Sequence, residues 1–385
     1  MTNDIFIAND NIITSLGFTT EENFLKLKNA ESGIKKHQNP SIFSEPFCAS
    51  LVDSNILQNK FEQLVNRVDF TRLEKLFILS INDAMKNSHA DLKDKKTLLI
   101  LSTTKGNIDL LEPEKKDQFP AKRVYLAEMA KVIGQYFGAA NTPLVLSNAC
   151  ISGALAIVIG ARMIRSGQYE NVVVSGGDIV SEFTLSGFQS LMAISSNPCK
   201  PYDAKRDGIT LGEGCGTVIL TSNIENLNGA EKIKVLGGVS SNDANHISGP
   251  SRTGEGLNIA IEKALQESKI DAKDVDYISA HGTATVYNDE MEAKAFTTMN
   301  LNDVPLNSLK GYWGHTLGAA GVIESIAAIH SMRENMLMPS LGFEEIGVTQ
   351  PVNIIKKTES KTLNNCLKTA SGFGGCNAAV VFSKN

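Results

Sequence analysis

The pattern of apolar and polar positions divides the chain into short strands and amphipathic helices. Apolar runs bounded by polar residues predict strands at 5–8, 97–102, 144–147, 171–175 and 216–221. Apolar residues at helical spacing predict helices at 21–27, 72–87, 125–137 and 153–166. Strands and helices that alternate in this way predict an α/β fold.

A second series of elements follows in the same order, at 233–240, 254–267, 277–280, 290–298, 318–331, 367–371 and 378–382. The segments 211–220 and 371–382 are both glycine-rich turns that lead into an apolar strand, which indicates an internal duplication. Glycine in any tight hairpin could produce the same likeness, because it supplies positive φ. We place the joint in the polar stretch 223–229, for which we predict no regular structure, and expect the halves 1–225 and 230–385 to pack as one body.

Composition limits the classes of function. The chain has 385 residues, 42% of them hydrophobic, and a net charge of -5, which gives no reason to expect a nucleic-acid partner. Its six cysteines show no C-x-x-C spacing, which argues against both a zinc site and a disulfide framework. No signal sequence is recognisable, and Arg162 interrupts the longest apolar stretch, 154–164. We therefore expect a cytoplasmic protein with no membrane partner.

Cys150 is the first candidate for chemistry. The apolar run that begins at Leu146 ends at this cysteine and turns into a helix of small residues. The free N–H groups and the positive dipole end of a helix N-terminus favour a thiolate, so we expect them to suffice for a nucleophile here. A small buried hydrophobic residue is the alternative interpretation of Cys150.

His281 and His315 are the second candidates. Each stands beside glycine after a strand-like or loop segment, and two histidines with one cysteine make a plausible acyl-transfer site. A capped turn and a helix start are the alternative interpretations. A zinc site at His281, Asp289 and Glu292 is also conceivable, but no second histidine follows His281 at helical spacing.

These blocks resemble, in the same order, the signatures of the β-ketoacyl-acyl-carrier-protein synthases of the thiolase superfamily, elongating Cys-His-His type. The resemblance continues through 200–214 and 371–377 and covers the chain from about Pro143 onward, whereas the first 120 residues match loosely. It implies a duplicated fold of two α/β halves, layered α-β-α-β-α. It also implies a decarboxylating condensation of an acyl thioester with malonyl-acyl carrier protein.

The resemblance also implies the roles of individual residues. Cys150 would carry the acyl group, while His281 and His315 would stabilise the thioester oxygen during decarboxylation. Lys310, through the carboxylate of Glu324, would orient its neighbours. Further supporting roles fall on Asp289 and Glu292 in the catalytic loop, and on Phe373, whose backbone N–H would stabilise the oxyanion and whose side chain would gate the acyl pocket.

By the same resemblance the protein needs no metal and no cofactor, and its partner is an acidic acyl carrier protein. We expect a homodimer through the strand at 144–148, or a heterodimer with a chain-length-factor-like subunit. Lys122, Arg123, Lys205 and Arg206 are a hypothetical docking patch for the carrier, and a solvated face unrelated to docking is the alternative interpretation.

Several features depart from the family pattern and keep alternatives open. Tyr312 and Trp313 replace small polar residues, which could narrow the acyl channel or serve packing. Cys376 stands where the family usually has threonine or histidine, which invites a thiolase-type enzyme, although a buried bystander is favoured. The segment 105–122 is short and charged, which favours a specialised polyketide or polyene pathway over ordinary fatty-acid synthesis. A non-catalytic partner subunit is the other alternative, but such subunits typically lack the cysteine.

Overall fold

Strands and helices alternate along the part of the chain that the computed structural model describes, residues 4–40, 42–65, 69–86, 88–227, 229, 231–245 and 249–384. The strands are β1 (Phe6–Ile13), β2 (Lys35–His37), β3 (Phe47–Ser50), β4 (Thr97–Ser102), β5 (Leu144–Leu146), β6 (Asn171–Asp178), β7 (Leu211–Gly212), β8 (Gly214–Thr221), β9 (Lys234–Asn242), β10 (Tyr277–Ser279), β11 (Leu306–Asn307), β12 (Met336–Leu337), β13 (Glu359–Ser360), β14 (Asn365–Gly372) and β15 (Cys376–Ser383). The helices are α1 (Thr20–Lys28), α2 (Ser54–Leu64), α3 (Arg72–Met85), α4 (Leu126–Phe137), α5 (Ser152–Arg165), α6 (Glu182–Ser190), α7 (Glu255–Ser268), α8 (Val286–Thr298), α9 (Lys310–Trp313) and α10 (Ala320–Glu334).

Most predicted elements are present, with shifted ends. β4 has the predicted bounds, and α3 begins where predicted because Thr71 and Glu74 form a capping box. The helix predicted from residue 318 begins at Ala320, because Leu317–Ala319 forms a 3₁₀ turn first. The stretch 223–229 is not without structure, since Ile224–Leu227 forms a 3₁₀ turn that buries Leu227.

Residues 228 and 230, at the proposed joint, lie outside the described residues, as do 1–3 and 385 at the outer ends of the two halves and 87 at the end of the helix predicted for 72–87. The division into 1–225 and 230–385 stays a prediction.

The central sheet shows the same strand topology twice. Its order is β5-β4-β6-β8-β1 and then β9-β15-β14-β10-β11, joined where Phe6 of β1 pairs with Lys234 of β9. In each half the first strand runs antiparallel to the last strand, the last runs antiparallel to the fourth, and the remaining pairs are parallel. The second half therefore repeats the fold of the first.

Two helices lie between the halves of the sheet. α5 contacts β6 and β4 of the first half and β9 and β15 of the second, and α10 contacts β8 and β14. On the outer faces, α3 packs on β1 and β8, and α7 packs on β9 and β15. This is the predicted layered α-β-α-β-α body. No helix in the described ranges is both long and apolar enough to cross a bilayer.

The two central helices approach each other closely at their N-termini. A Cβ atom on Gly153 of α5 would lie 2.7 Å from the amide nitrogen of Val322, and one on Gly321 of α10 would overlap the amide nitrogen of Ala154. Only glycine permits this backbone contact. It brings the loop that precedes α5, which carries Cys150, next to the loop that precedes α10, which carries His315.

Candidate active site

Cys150 lies in a tight turn between β5 and α5. Ala149 has a φ of 44°, and the Ser152 hydroxyl accepts the amide of Asn148 at 2.8 Å and donates to the carbonyl of Ala149 at 2.6 Å. These contacts hold Cys150 two residues before the first helical residue, as the sequence predicts. Only 7% of the residue is exposed.

The environment of the Cys150 thiol differs from the expected one. Burial raises its pKa to about 12, the neighbouring Cys376 adds to the rise, and the charges of Lys105 and Lys310 act against it. Burial thus opposes the effect of the helix N-terminus on this thiol, and the expectation that the helix N-terminus suffices for a thiolate stays a prediction. The thiol proton has to leave when the sulfur attacks a thioester.

His281 follows β10 and is held from two sides. Its backbone N–H donates to the carboxylate of Glu292 at 2.9 Å, which fixes the loop. The Lys310 ammonium donates to the carbonyl of His281 at 2.6 Å and contacts Nδ1 at 3.3 Å. Since an ammonium group can only donate, Nδ1 is the acceptor and the ring proton is assigned to Nε2.

His315 shows the same arrangement with different partners. Its backbone N–H donates to the carbonyl of Thr210 at 2.7 Å, and its Nδ1 accepts the N–H of Leu317 at 3.3 Å. The ring proton is therefore assigned to Nε2 here as well. That Nε2 is buried and has no hydrogen-bond partner among the described residues.

The thiol and the two imidazoles converge. One sulfur or nitrogen atom from each of Cys150, His281 and His315 lies within 4.8 Å of the other two, and the two rings meet edge to face with centroids 5.1 Å apart. Burial lowers the pKa of both histidines well below the ordinary value, and the charge of Lys310 adds to this effect. The site thus presents two neutral N–H donors beside a sulfur nucleophile.

The same three atoms are close enough together to ligate a transition metal. The zinc set conceived from the sequence does not form, because Asp289 and Glu292 turn their oxygens to backbone N–H groups. Asp289 accepts from Thr283 and Tyr202, and Glu292 accepts from His281 and Gly282. Burial raises the pKa of Asp289 to about 7.

Lys310 contacts the carboxylate that the resemblance implies and a further lysine. Its Nζ lies 2.6 Å from Oε1 of Glu324, and Nζ of Lys368 lies 2.6 Å from Oε2 of the same carboxylate. All three side chains are buried. The sequence analysis missed Lys368, although a lysine inside the apolar strand predicted at 367–371 is a signal that could have identified it.

Phe373 lies in the turn between β14 and β15, with 37% of its surface exposed. Its ring packs against Phe188 of α6 with centroids 5.5 Å apart. Gly374 and Gly375 have φ of 83° and 73°, so the chain after Phe373 needs glycine. Gly372 is glycine for another reason, since a Cβ there would lie 2.9 Å from both the amide nitrogen of Cys150 and Sγ of Cys376.

The departures from the family pattern also have a place in the structure. Tyr312 and Trp313 are fully buried in the main hydrophobic core, and the carbonyl of Tyr312 accepts the N–H of Gly33 at 2.7 Å, which favours packing over a role in a channel. Cys376 is buried beside Cys150, and burial raises its pKa to about 11. All six cysteines are free thiols.

The predicted docking patch does not form as a cluster of free cations. Arg123 forms an ion pair with the buried carboxylate of Glu74, and Arg206 donates to the carbonyl of Gly347 at 2.6 Å with 5% of its side chain exposed. Both arginines are therefore part of the scaffold. Lys122 and Lys205 are exposed, with 60% and 73% of their side chains accessible.

Comparison with known proteins settles the family. The model of the β-ketoacyl synthase N-terminal domain matches residues 7–226, and that of the C-terminal domain matches residues 234–344. The chain belongs to the β-ketoacyl synthase family. The predicted family is confirmed.

Individual relatives agree with this assignment. The 3-oxoacyl-[acyl-carrier-protein] synthase 2 of Rhizobium meliloti is 34% identical over 250 residues, and the alignment spans 61% of this chain and 59% of the relative. The enzyme of the same name from Vibrio cholerae is 26% identical over 99% of both chains.

Solved structures confirm the predicted thiolase-like fold. The ishigamide ketosynthase/chain length factor superposes with a TM-score of 0.90 at 23% identity, over 100% of this chain and 99% of the other. A chain of the complex between the ketosynthase ApeO and its chain length factor ApeC from Xenorhabdus doucetiae superposes with a TM-score of 0.85 at 24% identity, over 99% of this chain and 98% of the other.

Proposed function

We propose that this β-ketoacyl synthase condenses an acyl group on Cys150 with malonyl-acyl carrier protein, in fatty-acid or specialised polyketide or polyene synthesis. The observation that carries the proposal is the convergence of the Cys150 thiol with two imidazoles that both have their Nδ1 atoms occupied as acceptors. Such a site accepts an acyl group on sulfur and donates two hydrogen bonds to a developing oxyanion.

In the first half-reaction, Sγ of Cys150 attacks the carbonyl of the incoming thioester. The C–S bond to the carrier breaks, and the thiol proton ends on the departing pantetheine thiol. The backbone N–H groups of Cys150 and Phe373 are the proposed donors to the tetrahedral oxyanion. The N-terminal dipole of α5 supports the negative charge that develops at sulfur.

In the second half-reaction, the bond between the malonyl α-carbon and its carboxylate breaks and CO₂ leaves. The electron pair passes to the α-carbon and the thioester oxygen, which accepts from Nε2–H of His281 and His315. The α-carbon then attacks the acyl group on Cys150, a C–C bond forms, and the sulfur leaves as thiolate and takes up a proton. Both half-reactions are written with the two thioester substrates and the residues named here.

Partners and location belong to the same proposal. Structures of ketosynthases with a chain length factor or an acyl carrier protein are similar to this chain, which supports a carrier partner and a dimer or heterodimer. β5 lies at the edge of the sheet with half-buried residues, where a strand of a second subunit could pair. A reducing cytoplasm suits the six free thiols.

Intact-protein mass spectrometry after exposure to a panel of acyl-carrier proteins tests the proposal. We expect a mass increase of one acyl group in the wild type and none in Cys150→Ala, which should also abolish condensation. Loading that persists in Cys150→Ala, or peptide mapping that places the label on Cys199, Cys215 or Cys376, would overturn it. An enzyme that never loads would instead match the non-catalytic partner subunit, and cleavage of a β-ketoacyl substrate by coenzyme A alone would match a thiolase.

A further inference from the structure

Lys368 is a buried lysine in the middle of the central sheet, for which the proposed reaction has no direct use. It lies on β14 and is fully buried. Its Nζ donates to Oε2 of Glu324 at 2.6 Å and to the carbonyls of Ser279 and Ala280 at 3.2 and 3.4 Å. An ammonium group has three N–H bonds, so these contacts use all of them and leave none for a substrate.

The contacts of Lys368 lead to His281 by two routes. Ser279 and Ala280 are the residues immediately before His281, so their carbonyls fix the end of β10 that carries this imidazole. Glu324 connects Lys368 to Lys310, which in turn donates to Nδ1 of His281. Oε2 of Glu324 accepts from Lys368, and Oε1 accepts from Lys310.

The cluster also carries an excess of positive charge. Two ammonium groups face one carboxylate, so Lys310, Glu324 and Lys368 together have a net charge of +1 when both lysines are protonated. Burial lowers the pKa of Lys368, and the carboxylates of Glu324 and Glu292 act against this and favour the charged form. Burying a charge without full compensation is costly. A second lysine on the same carboxylate is therefore not expected to increase the stability of the fold. The charges of Lys310 and Lys368 act on both imidazoles.

We propose that Lys368 is a positioning residue for decarboxylation, which aligns His281 through Glu324 and Lys310 and adds a positive charge beside the two imidazoles. The inference rests on the proposed function, because it concerns the step in which these imidazoles donate to the substrate oxygen.

The charged and titratable groups around the imidazoles favour this role. His281 is faced by Lys310, Lys368 and His315, which lower its pKa together with burial, while Glu292 contacts only its backbone. His315 is faced by Lys310, Lys105 and Lys368, which lower its pKa after burial. The remaining neighbours are the neutral Cys150 thiol and, through the amide of Gly318, the carboxylate of Asp178.

Removal of the Lys368 charge should shift the pKa values of the two imidazoles in a definite direction. Without its charge the imidazoles bind a proton more readily, so their pKa values rise. A proton on Nδ1 of His281 would break the hydrogen bond from Lys310 and place two cations in contact. Decarboxylation should then fail on the acid side at a higher pH than in the wild type, while the alkaline side is unchanged.

Lys368→Met tests this, because methionine keeps the volume and removes the charge. The readouts are the pH profile of malonyl-carrier decarboxylation and an NMR titration of ¹³C-labelled histidine rings, assigned with His281→Ala and His315→Ala. We expect the acid limb and the histidine titrations to move up by about one pH unit, as for a unit charge within roughly 10 Å at an effective dielectric constant of ~20. The proposal would be overturned if the acid limb of the pH profile and the histidine titrations of Lys368→Met matched those of the wild type.

Two further variants separate charge from packing. Lys368→Met combined with Glu324→Gln restores the net charge of +1 on the cluster, so the acid limb should return toward the wild-type position. Lys384→Met removes an ordered lysine that pairs with Glu231 at 3.3 Å, away from the site, and should shift nothing. The electrostatic role would be contradicted if the double variant had the same acid limb as Lys368→Met. It would also be contradicted if Lys384→Met shifted the acid limb as far as Lys368→Met does. The NMR titration needs no activity, so a wild type that fails to decarboxylate refutes the proposed function and leaves the test of Lys368 intact.

Discussion

The two halves of the molecule share one strand topology but contribute different chemistry to the site. Loops after β4, β5 and β6 of the first half carry Thr103, Cys150 and the residues beyond Asp178. The corresponding loops after β10, β11 and β14 of the second half carry His281, Lys310 with His315, and Phe373. In the proposed reaction the first half supplies the nucleophile, and the second supplies the groups that donate hydrogen bonds to the oxyanion.

The halves also differ in the buried carboxylate that lies nearest their part of the site. In the first half Asp178 accepts the N–H groups of Thr104 and Gly318 and the hydroxyl of Thr103, so its charge is met by neutral donors. The second half buries Lys310, Glu324 and Lys368 together, so that two ammonium groups share one carboxylate. The part of the site beside the sulfur thus contains a carboxylate held by neutral donors, and the part beside the imidazoles contains a cluster of two lysines and one glutamate. Changes to the lysine–glutamate–lysine cluster of the second half should therefore cost more stability than changes to charge near the sulfur.

The largest expected effect comes from Glu324→Gln, which leaves two buried lysines facing each other. Removal of one partner of a buried ion pair costs about 3–5 kcal/mol. We expect a loss of this size in the free energy of unfolding, measured by urea denaturation. Adding Lys368→Met to Glu324→Gln removes one of the stranded charges and should recover part of the loss. A double variant less stable than Glu324→Gln would contradict the charge assignment.

The sequence predicted the chemistry of both halves better than their charge network. Cys150, His281 and His315 lie in local motifs, so their chemistry could be recognised from neighbouring residues. The contact between Lys368 and Glu324 joins a strand to a helix 44 residues away, and no local pattern encodes it. The sequence predicts Arg123 and Arg206 as docking residues, whereas both lie in ion pairs with buried carboxylates. Charge alone does not distinguish a docking residue from one half of a buried ion pair.

Secondary-structure elements were likewise predictable only where a local pattern encodes them. The long apolar runs of β4 and β6 were predicted, because a strand buried on both faces is apolar throughout. β7 and β11, each of two residues, and the four-residue α9 are defined by tertiary contacts and carry no periodic signal. Yet α9 holds Lys310, so the part of the fold that was hardest to predict lies within the site.

The second largest effect separates the half-reactions. His281→Ala or His315→Ala should lower decarboxylation of malonyl-carrier protein by about 10²–10³-fold, the usual loss when one oxyanion donor is removed. Acyl loading of Cys150 should fall less, because the N-terminus of α5 and the backbone donors remain. Loading and CO₂ release can be measured on the same preparation. If a variant lost loading but kept decarboxylation, that imidazole would be the base for the thiol.

A smaller effect is expected where the two halves meet. Gly321→Ala places a methyl group against the backbone at Ala154, and overpacking of this kind costs about 1–3 kcal/mol. The contact aligns α5 with α10, so both half-reactions should slow together as the melting temperature falls. Gly187→Ala is the matched control, because a Cβ at this helical position in α6 meets nothing within 4 Å. Equal destabilisation by the two variants would show that the contact between the central helices is not specific.

The smallest effect tests the first half, where Lys105 follows β4 as His281 follows β10. Lys105 is half-buried, and its charge lowers the pKa of Cys150 against the rise caused by burial. Lys105→Met should therefore raise that pKa further and slow alkylation of Cys150 by iodoacetamide at neutral pH. Because solvent screens a half-exposed charge, the change should be no more than about five-fold, equivalent to ~1 kcal/mol, and high salt should reduce it. An effect as large as that of Lys368→Met on the imidazoles would mean that the two halves do not differ in their electrostatics, and the contrast between them would fail.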